Sequence, residues 1–185
     1  MNSPHPQAGR AWSSGLPRLG DVSPVVESAP LGTPRYEAVL LASALSFAAG
    51  LIHTIATVEH MREYALFGVF FAGLAAVQFA WGAWIFARPA PRTLLAGVYL
   101  AWGIVALWAC SRTIGLPIGP TPWQPEPAGT IDVAATSDEI VMAFLAAALV
   151  QGEDAVQRAL GFARRPAMVL LIMSGVSLLL GTHHG

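Results

Sequence analysis

The sequence predicts an all-α integral membrane protein, a bundle of five transmembrane helices, and three observations support this fold class. Hydrophobic residues make up 55% of the 185 residues and charged residues only 11%, against about 25% charged residues in ordinary soluble domains. Apolar runs recur at close to the 20 or so residues that span a bilayer core. The arginines are also distributed very unevenly between the two sides that these runs define.

Five spans are predicted, and a segment of different composition precedes them. Residues 1–35 are rich in Pro, Ser and Gly, and we expect a disordered cytoplasmic tail because such a segment cannot bury enough apolar surface to fold. The tail has no apolar core of a signal peptide and should be retained. The transmembrane domain is expected at 36–185, with a proline-rich outer loop at 111–130. Its spans are predicted at about 38–58, 64–87, 93–110, 131–151 and 167–182.

The fourth span combines a short apolar run with a more polar segment upstream of it. Its strictly apolar run, 140–150, is too short to cross alone, whereas an extension upstream to Ile131 reaches spanning length and places Asp138 and Glu139 inside the bilayer. With five spans and an inside N-terminus, eight of the ten arginines lie inside and only Arg62 and Arg112 outside. This asymmetry favours five spans, with the N-terminus inside and the C-terminus outside.

Composition also excludes several functions. The net charge of −1 and the scattered arginines give no footprint for nucleic acid. The single cysteine, Cys110, rules out an intrachain disulfide and a cysteine-based zinc site. Because it lies in an apolar run, we expect it to be a buried core residue. No GxSxG, P-loop, CxxCH or HExxH motif is present.

Two pairs of ionisable residues seven positions apart are the best functional lead. His53 and His60 lie in the first span, and Asp132 and Glu139 lie in the fourth. Seven residues are about two helical turns, so each pair occupies one stripe and is separated by about 10 Å along the axis. An ionisable group at membrane depth costs several kcal/mol, and it usually faces a partner or a water-filled cavity.

The predicted topology sorts these side chains into two layers in the outer half of the membrane. His53 and Glu139 share the deeper level and should face one another across spans one and four. The outer rim holds His60, Asp132, His183 and His184. Imidazole and carboxylate together suit a transition-metal ion such as Zn, Cu, Fe or Ni, and we predict metal binding by these six residues.

Other interpretations of the same residues stay open. Histidine and glutamate in a low-dielectric cavity can relay protons, which would suit proton-coupled handling of a small solute. The deeper pair could instead form a structural polar lock in a non-catalytic accessory subunit. A metal-dependent membrane hydrolase is a further alternative, and the sequence leaves open whether any reaction is catalysed. Haem is disfavoured because the depths of His53 and the terminal histidines do not match.

The predicted outer loop is stiffened by five prolines and contains Trp123. It would lie along the membrane surface and cover the polar cluster, with Arg112 at its start paired to Asp132 or Asp138. Small residues one turn apart, Gly97 with Ala101 and Ala72 with Ala76, suggest helix packing in a homo-oligomer or in a larger complex. The expected location is the cell membrane, with the lipid bilayer as the principal partner.

A resemblance adds positions to watch. The stretches AAGLIHTIATVEHMREYALFGVFFAGLAAVQFAWG, WACSRTIGLPIGP and PEPAGTIDVAATSDE, within residues 48–139, resemble a family of uncharacterised polytopic membrane proteins of high-GC bacteria. That family shares a His near the end of one span, a following Glu-His pair, a Ser-Arg-Thr-X-Gly-Leu-Pro loop and an acidic residue entering the next span. The resemblance implies no activity. The positions that it highlights are His53, Glu59, His60, Arg112, Asp132 and Glu139.

Overall fold

The computed structural model describes residues 32–181, with side chains to residue 176, and this part of the chain is helical with no strands. Its five helices are each long and apolar enough to cross a membrane, which confirms the predicted all-α, five-span fold class. They are α1 (Pro34–Glu63), α2 (Ala65–Ala87), α3 (Pro91–Thr113), α4 (Thr130–Gln151) and α5 (Glu153–Gly181). Residues 1–31 of the predicted 1–35 tail, together with His183 and His184, lie outside the described residues, whereas Pro34 and Arg35 already belong to α1.

Local chemistry explains where the helices begin and end. The hydroxyl of Thr33 accepts a hydrogen bond from the amide of Tyr36 at the start of α1, which satisfies one of the amides that a first turn leaves free. The Asp132 carboxylate plays the equivalent part in α4 by accepting from the Gly129 amide at 2.9 Å. At the other end of α4, Gly152 has φ of +114°, a conformation that glycine adopts at little cost. The chain therefore turns into α5 within one residue.

Helices α1 and α4 form the centre of the bundle. Helix α1 packs against α2, α4 and α5, while α4 packs against α1, α3 and α5. The shared core is built largely from alanine and leucine, among them Ala42, Leu45 and Leu145, which are fully buried. Small side chains let the central helices approach closely, as is usual in membrane bundles. Helices α2 and α3 contact each other least among the packed pairs.

The contact between α2 and α3 is concentrated near the turn that joins them. The Trp81 indole donates a hydrogen bond to the Thr93 carbonyl at 2.8 Å, and its ring lies directly over Gly97, where an added Cβ would come within 2.0 Å of it. Both Gly97 and Ala101 are buried inside the chain. This predicted small-residue pair is therefore used within the bundle, whereas Ala72 and Ala76 are exposed on α2.

The outer surface of the bundle is strongly apolar. Large hydrophobic side chains are exposed on every helix, with Phe162 87% exposed and Tyr99 75% exposed, as expected where a helix face meets lipid. Cys110 also lies on this surface, so the prediction of a buried thiol is wrong. In a membrane helix an apolar run covers all faces, and it does not identify the one that points to the core.

Candidate functional site

The deeper pair of ionisable residues meets in the centre of the bundle. His53 Nε2 lies 3.8 Å from Glu139 Oε1, and the two side chains are 6% and 0% exposed. This contact between α1 and α4 confirms that the residues at matched depth face one another. The spacing is longer than a hydrogen bond, and both His53 Nε2 and Glu139 Oε2 are buried without a hydrogen-bond partner among the described residues.

A third helix contributes to the same polar centre. The side-chain amide of Gln78, on α2, donates a hydrogen bond to Glu139 Oε1. The backbone carbonyl of Gln78 in turn accepts from the Ser46 hydroxyl at 2.7 Å, and Gln78 Oε1 is buried without a partner. His53, Gln78 and Glu139 therefore bring together one imidazole, one amide and one carboxyl group, each with an unused hydrogen-bonding atom. We call these three residues the polar centre.

The two histidines of α1 share one aromatic neighbour. The Phe71 ring of α2 stacks on His60, with ring centroids 4.7 Å apart, and on His53, with centroids 5.6 Å apart. Seven residues place the imidazoles two turns apart on one face of α1, and the phenyl ring fills the space beside that face. His60 Nδ1 also approaches Glu63 Oε2 at 3.3 Å, near the end of the helix.

His53, His60 and Phe71 line a cavity of about 860 Å³ between α1, α2, α3 and α4. It lies toward the end of the bundle that carries the connection 114–129, which we call the loop end. Its walls are mostly apolar, and its aromatic lining residues are Phe67, Phe70, Phe71 and Trp108. Its ionisable lining residues are His53, Glu59, His60, Arg112, Glu126 and Asp132. The polar centre lies at the deep end of this cavity, where His53 separates Glu139 from it.

An ion-pair cluster closes the cavity at the loop end. Arg112 of α3 pairs with Asp132 of α4, with Nη2 2.8 Å from Oδ2, and also with Glu126 of the loop. The Glu126 amide donates to the Ser111 carbonyl at 3.1 Å, which returns this part of the loop to the end of α3. The prediction that Arg112 pairs with Asp132 is confirmed, and Glu126 is an additional partner.

The loop folds back as a cover over the cavity. Leu116, Pro117 and Ile118 line it from the loop, and the Trp123 amide donates to the Leu116 carbonyl at 2.7 Å. Gly119 lies so close to Phe67 that an added Cβ would be 2.9 Å from its ring, so the loop reaches α2. The structure therefore agrees with a loop that covers the polar residues of the first and fourth helices.

One side of the cavity is less enclosed than the others. Helices α2 and α3 are joined by the Trp81–Gly97 contact far from the loop end, while the lining residues of both helices belong to their loop-end halves. The weak packing between these two helices leaves the cavity bordered there by apolar side chains such as Phe70 and Ile104. In a bilayer, this weakly packed side would border lipid.

Asp138 points to a different part of the bundle. It is 1% exposed, and its Oδ2 accepts from the Ser174 hydroxyl of α5 at 3.5 Å. Adjacent residues on a helix point about 100° apart, so Asp138 faces α5 while Glu139 faces α1 and α2. Asp138 therefore does not line the cavity, and of the two partners predicted for Arg112 it is Asp132 that forms the ion pair.

The predicted metal ligands are only partly assembled. Among the described residues, no group of three or more His, Cys, Asp and Glu side chains could hold a metal ion. His53 contacts Glu139, but His60 is stacked on Phe71 and Asp132 is held by Arg112. His183 and His184 lie outside the described residues. Metal binding by the six-residue set therefore stays a prediction.

Four participants were not identified as site residues from the sequence: Gln78, Phe71, Trp108 and Glu126. Only Gln78 carried a usable signal, because a lone amide in the middle of an apolar span needs a hydrogen-bond partner. The phenyl and indole side chains are indistinguishable in sequence from ordinary lipid-facing residues. Comparison with known proteins adds nothing to this site, since no protein-family model, curated protein or solved structure matches the chain.

Proposed function

We propose that the protein binds a small, mainly apolar solute in the loop-end cavity and exchanges a proton with the bound state through His53 and Glu139. The observation that carries this proposal is the position of His53, which lines a cavity of about 860 Å³ and contacts the buried Glu139 behind it. An ordinary small-molecule site has a volume of about 300–1,000 Å³, mostly apolar walls and a few convergent polar groups.

The size and lining of the cavity support solute binding. Apolar and aromatic side chains from four helices provide its walls, and burying the apolar surface of a solute there is favourable by about 25 cal/mol per Å². The Trp108 Nε1 atom is buried without a partner among the described residues, and it offers a hydrogen-bond donor in the wall. The lipid-facing side between α2 and α3 provides a route for a solute dissolved in the membrane.

The polar centre supports proton exchange. Imidazole is the side chain that ordinarily changes charge closest to neutral pH, and the His53 imidazole lies 3.8 Å from a carboxyl group that can also hold a proton. Gln78 holds Oε1 of Glu139, the oxygen that faces His53, by donating to it, and Oε2 has no hydrogen-bond partner among the described residues. A proton moving between His53 and Glu139 would change the charge at the deep end of the cavity without any large movement of the chain.

Metal binding at the polar centre is a second candidate. It is favoured by three unpartnered buried atoms, His53 Nε2, Gln78 Oε1 and Glu139 Oε2, which include the imidazole and carboxylate donors that transition metals accept. In this version, His53 and Glu139 are the principal ligands. His60, Asp132 and the terminal histidines, the remainder of the predicted set, would be peripheral. The proposed setting for either function is the plasma membrane, with the loop end outside.

Binding of a neutral probe tests the proposed cavity. Full-length protein in lipid nanodiscs should give saturable fluorescence with N-phenyl-1-naphthylamine, and Ala56→Trp should abolish it because Ala56 lines the cavity. Ala106→Trp is the matched control, since Ala106 is exposed on α3 outside the cavity lining. Equal saturable binding in both variants, or none in the wild-type protein, would overturn the proposal.

Proton exchange and metal binding are separated by two further measurements. Glu139→Gln and His53→Gln should each remove probe-dependent proton uptake or release in weakly buffered solution while the probe still binds. Elemental analysis of the same preparations decides the second candidate. Stoichiometric metal in the wild-type protein that is lost in both variants would favour the metal centre. Metal-free wild-type protein that still takes up or releases protons on probe binding would favour proton exchange through His53 and Glu139.

A further inference from the structure

We infer that the solute of this cavity is a lipophilic organic cation, an amine or onium compound with an apolar or aromatic body. This inference rests on the proposed solute-binding function and deepens it by naming the chemical class. Its basis is the charged and aromatic side chains that line the cavity.

The ionisable side chains around the cavity carry an excess of negative charge. The lining includes three acidic side chains, Glu59, Glu126 and Asp132, and Arg112 is its only guanidinium. Arg112 is engaged by both Glu126 and Asp132, so it has no free charge to offer an anion. Glu59 makes no ion pair among the described residues and is exposed at the loop end. An anionic solute would be repelled, and a cation would be attracted.

The aromatic lining suits the same class. Phe67, Phe70 and Trp108 line the cavity from α2 and α3, and aromatic rings attract organic cations to their faces, with a stronger effect where water is excluded. The remainder of the wall is aliphatic, which accommodates the apolar body of a membrane-soluble cation. A small inorganic cation would gain nothing from this wall. Neutral solutes would gain the apolar contact but nothing from the acidic excess.

A matched pair of probes tests the charge preference. Methyltriphenylphosphonium and triphenylphosphine oxide carry the same three rings, but only the first is charged. Equilibrium binding of radiolabelled probes to the full-length protein in neutral-lipid nanodiscs should favour the cation. Glu59→Gln should weaken cation binding by about two- to fivefold, the size of one partly exposed charge interaction, and leave the neutral probe unchanged. Glu153→Gln, at the start of α5 far from the cavity lining, is the control.

The outcomes separate this inference from the proposed function. One outcome would be equal binding of both probes, with both blocked by Ala56→Trp and neither affected by Glu59→Gln. In that case the cation inference is wrong, while solute binding in the cavity is still supported. If Ala56→Trp leaves both unaffected, the cavity function fails and the inference fails with it.

Discussion

His53 Nε2 and Glu139 Oε1 face each other across α1 and α4 at 3.8 Å, with both side chains removed from the surface. Each group would be costly in an apolar bundle without the other. Replacing Glu139 by Ala leaves the Gln78 amide without its acceptor and removes the carboxyl group that faces the His53 imidazole. We expect the free energy of unfolding to fall by about 3–5 kcal/mol, the usual cost of breaking a buried pair. Reversible denaturation in detergent, followed by circular dichroism, measures it.

Two variants make this prediction specific. Glu139→Gln should cost less than Glu139→Ala because an amide oxygen can still accept from Gln78. Glu63→Ala is the exposed control, since its side chain is 65% exposed, and it should change stability by no more than about 0.5 kcal/mol. Equal effects of Glu139→Ala and Glu63→Ala would show that the buried contact contributes nothing to folding.

The Trp81–Gly97 contact gives a packing prediction. A Cβ added at Gly97 would lie 2.0 Å from the indole ring, so Gly97→Ala must move a large ring that also donates a hydrogen bond to Thr93. Overpacking of this kind costs about 1–3 kcal/mol. Thermal unfolding in nanodiscs should therefore show a lower transition temperature.

Gly103 is the matched control for that substitution. It lies on the same helix, and an added Cβ would meet no atom within 4 Å. Gly103→Ala should leave the stability unchanged or raise it by up to about 1 kcal/mol, the helical advantage of alanine over glycine. If the transition temperature falls as far in Gly103→Ala as in Gly97→Ala, the close approach of α2 and α3 is not the cause of the destabilisation.

Arg112 gives a prediction about the loop. Its guanidinium pairs with Glu126 of the loop and with Asp132 of α4, so Arg112→Gln should free the loop from the end of α3. Arg112→Lys should rescue only part of the effect because an ammonium lacks the planar fork that serves two carboxylates. Hydrogen exchange of the amides at 115–126 should accelerate in Arg112→Gln. Arg62→Gln, also near the loop end, should exchange like the wild-type protein.

Much of this fold follows from simple lengths. Because a helix rises 1.5 Å per residue, His53 and Glu139 lie at one depth when α1 and α4 run antiparallel. Their pairing was correctly predicted on this basis. The extended fourth helix was also predicted, since α4 runs unbroken through Asp138 and Glu139. What length cannot supply is the rotation of each helix about its axis.

Rotation explains the errors and omissions. Helices that are apolar on every face carry no stripe that identifies the core side, so Cys110 was wrongly assigned to the interior. The same ambiguity hid the contact of Gln78 with Glu139 and the placement of Phe71 between two histidines. Asp138 and Glu139 are neighbours in sequence, yet they serve different helix pairs. Glu126 was missed because the folding of a proline-rich loop depends on contacts distant in sequence.

The remaining prediction concerns the orientation of the protein in the membrane, and it is based on the distribution of the arginines. Eight of the ten arginines lie on the side of the N-terminus in the five-span arrangement, which favours a cytoplasmic N-terminus and an external loop end. The exposed Cys110 must first be replaced by alanine. In intact cells, a membrane-impermeant maleimide should then label Thr121→Cys but not Ser14→Cys, while both should react after permeabilisation. Labelling of Ser14→Cys with protection of Thr121→Cys would show the opposite orientation, with the loop end on the cytoplasmic side.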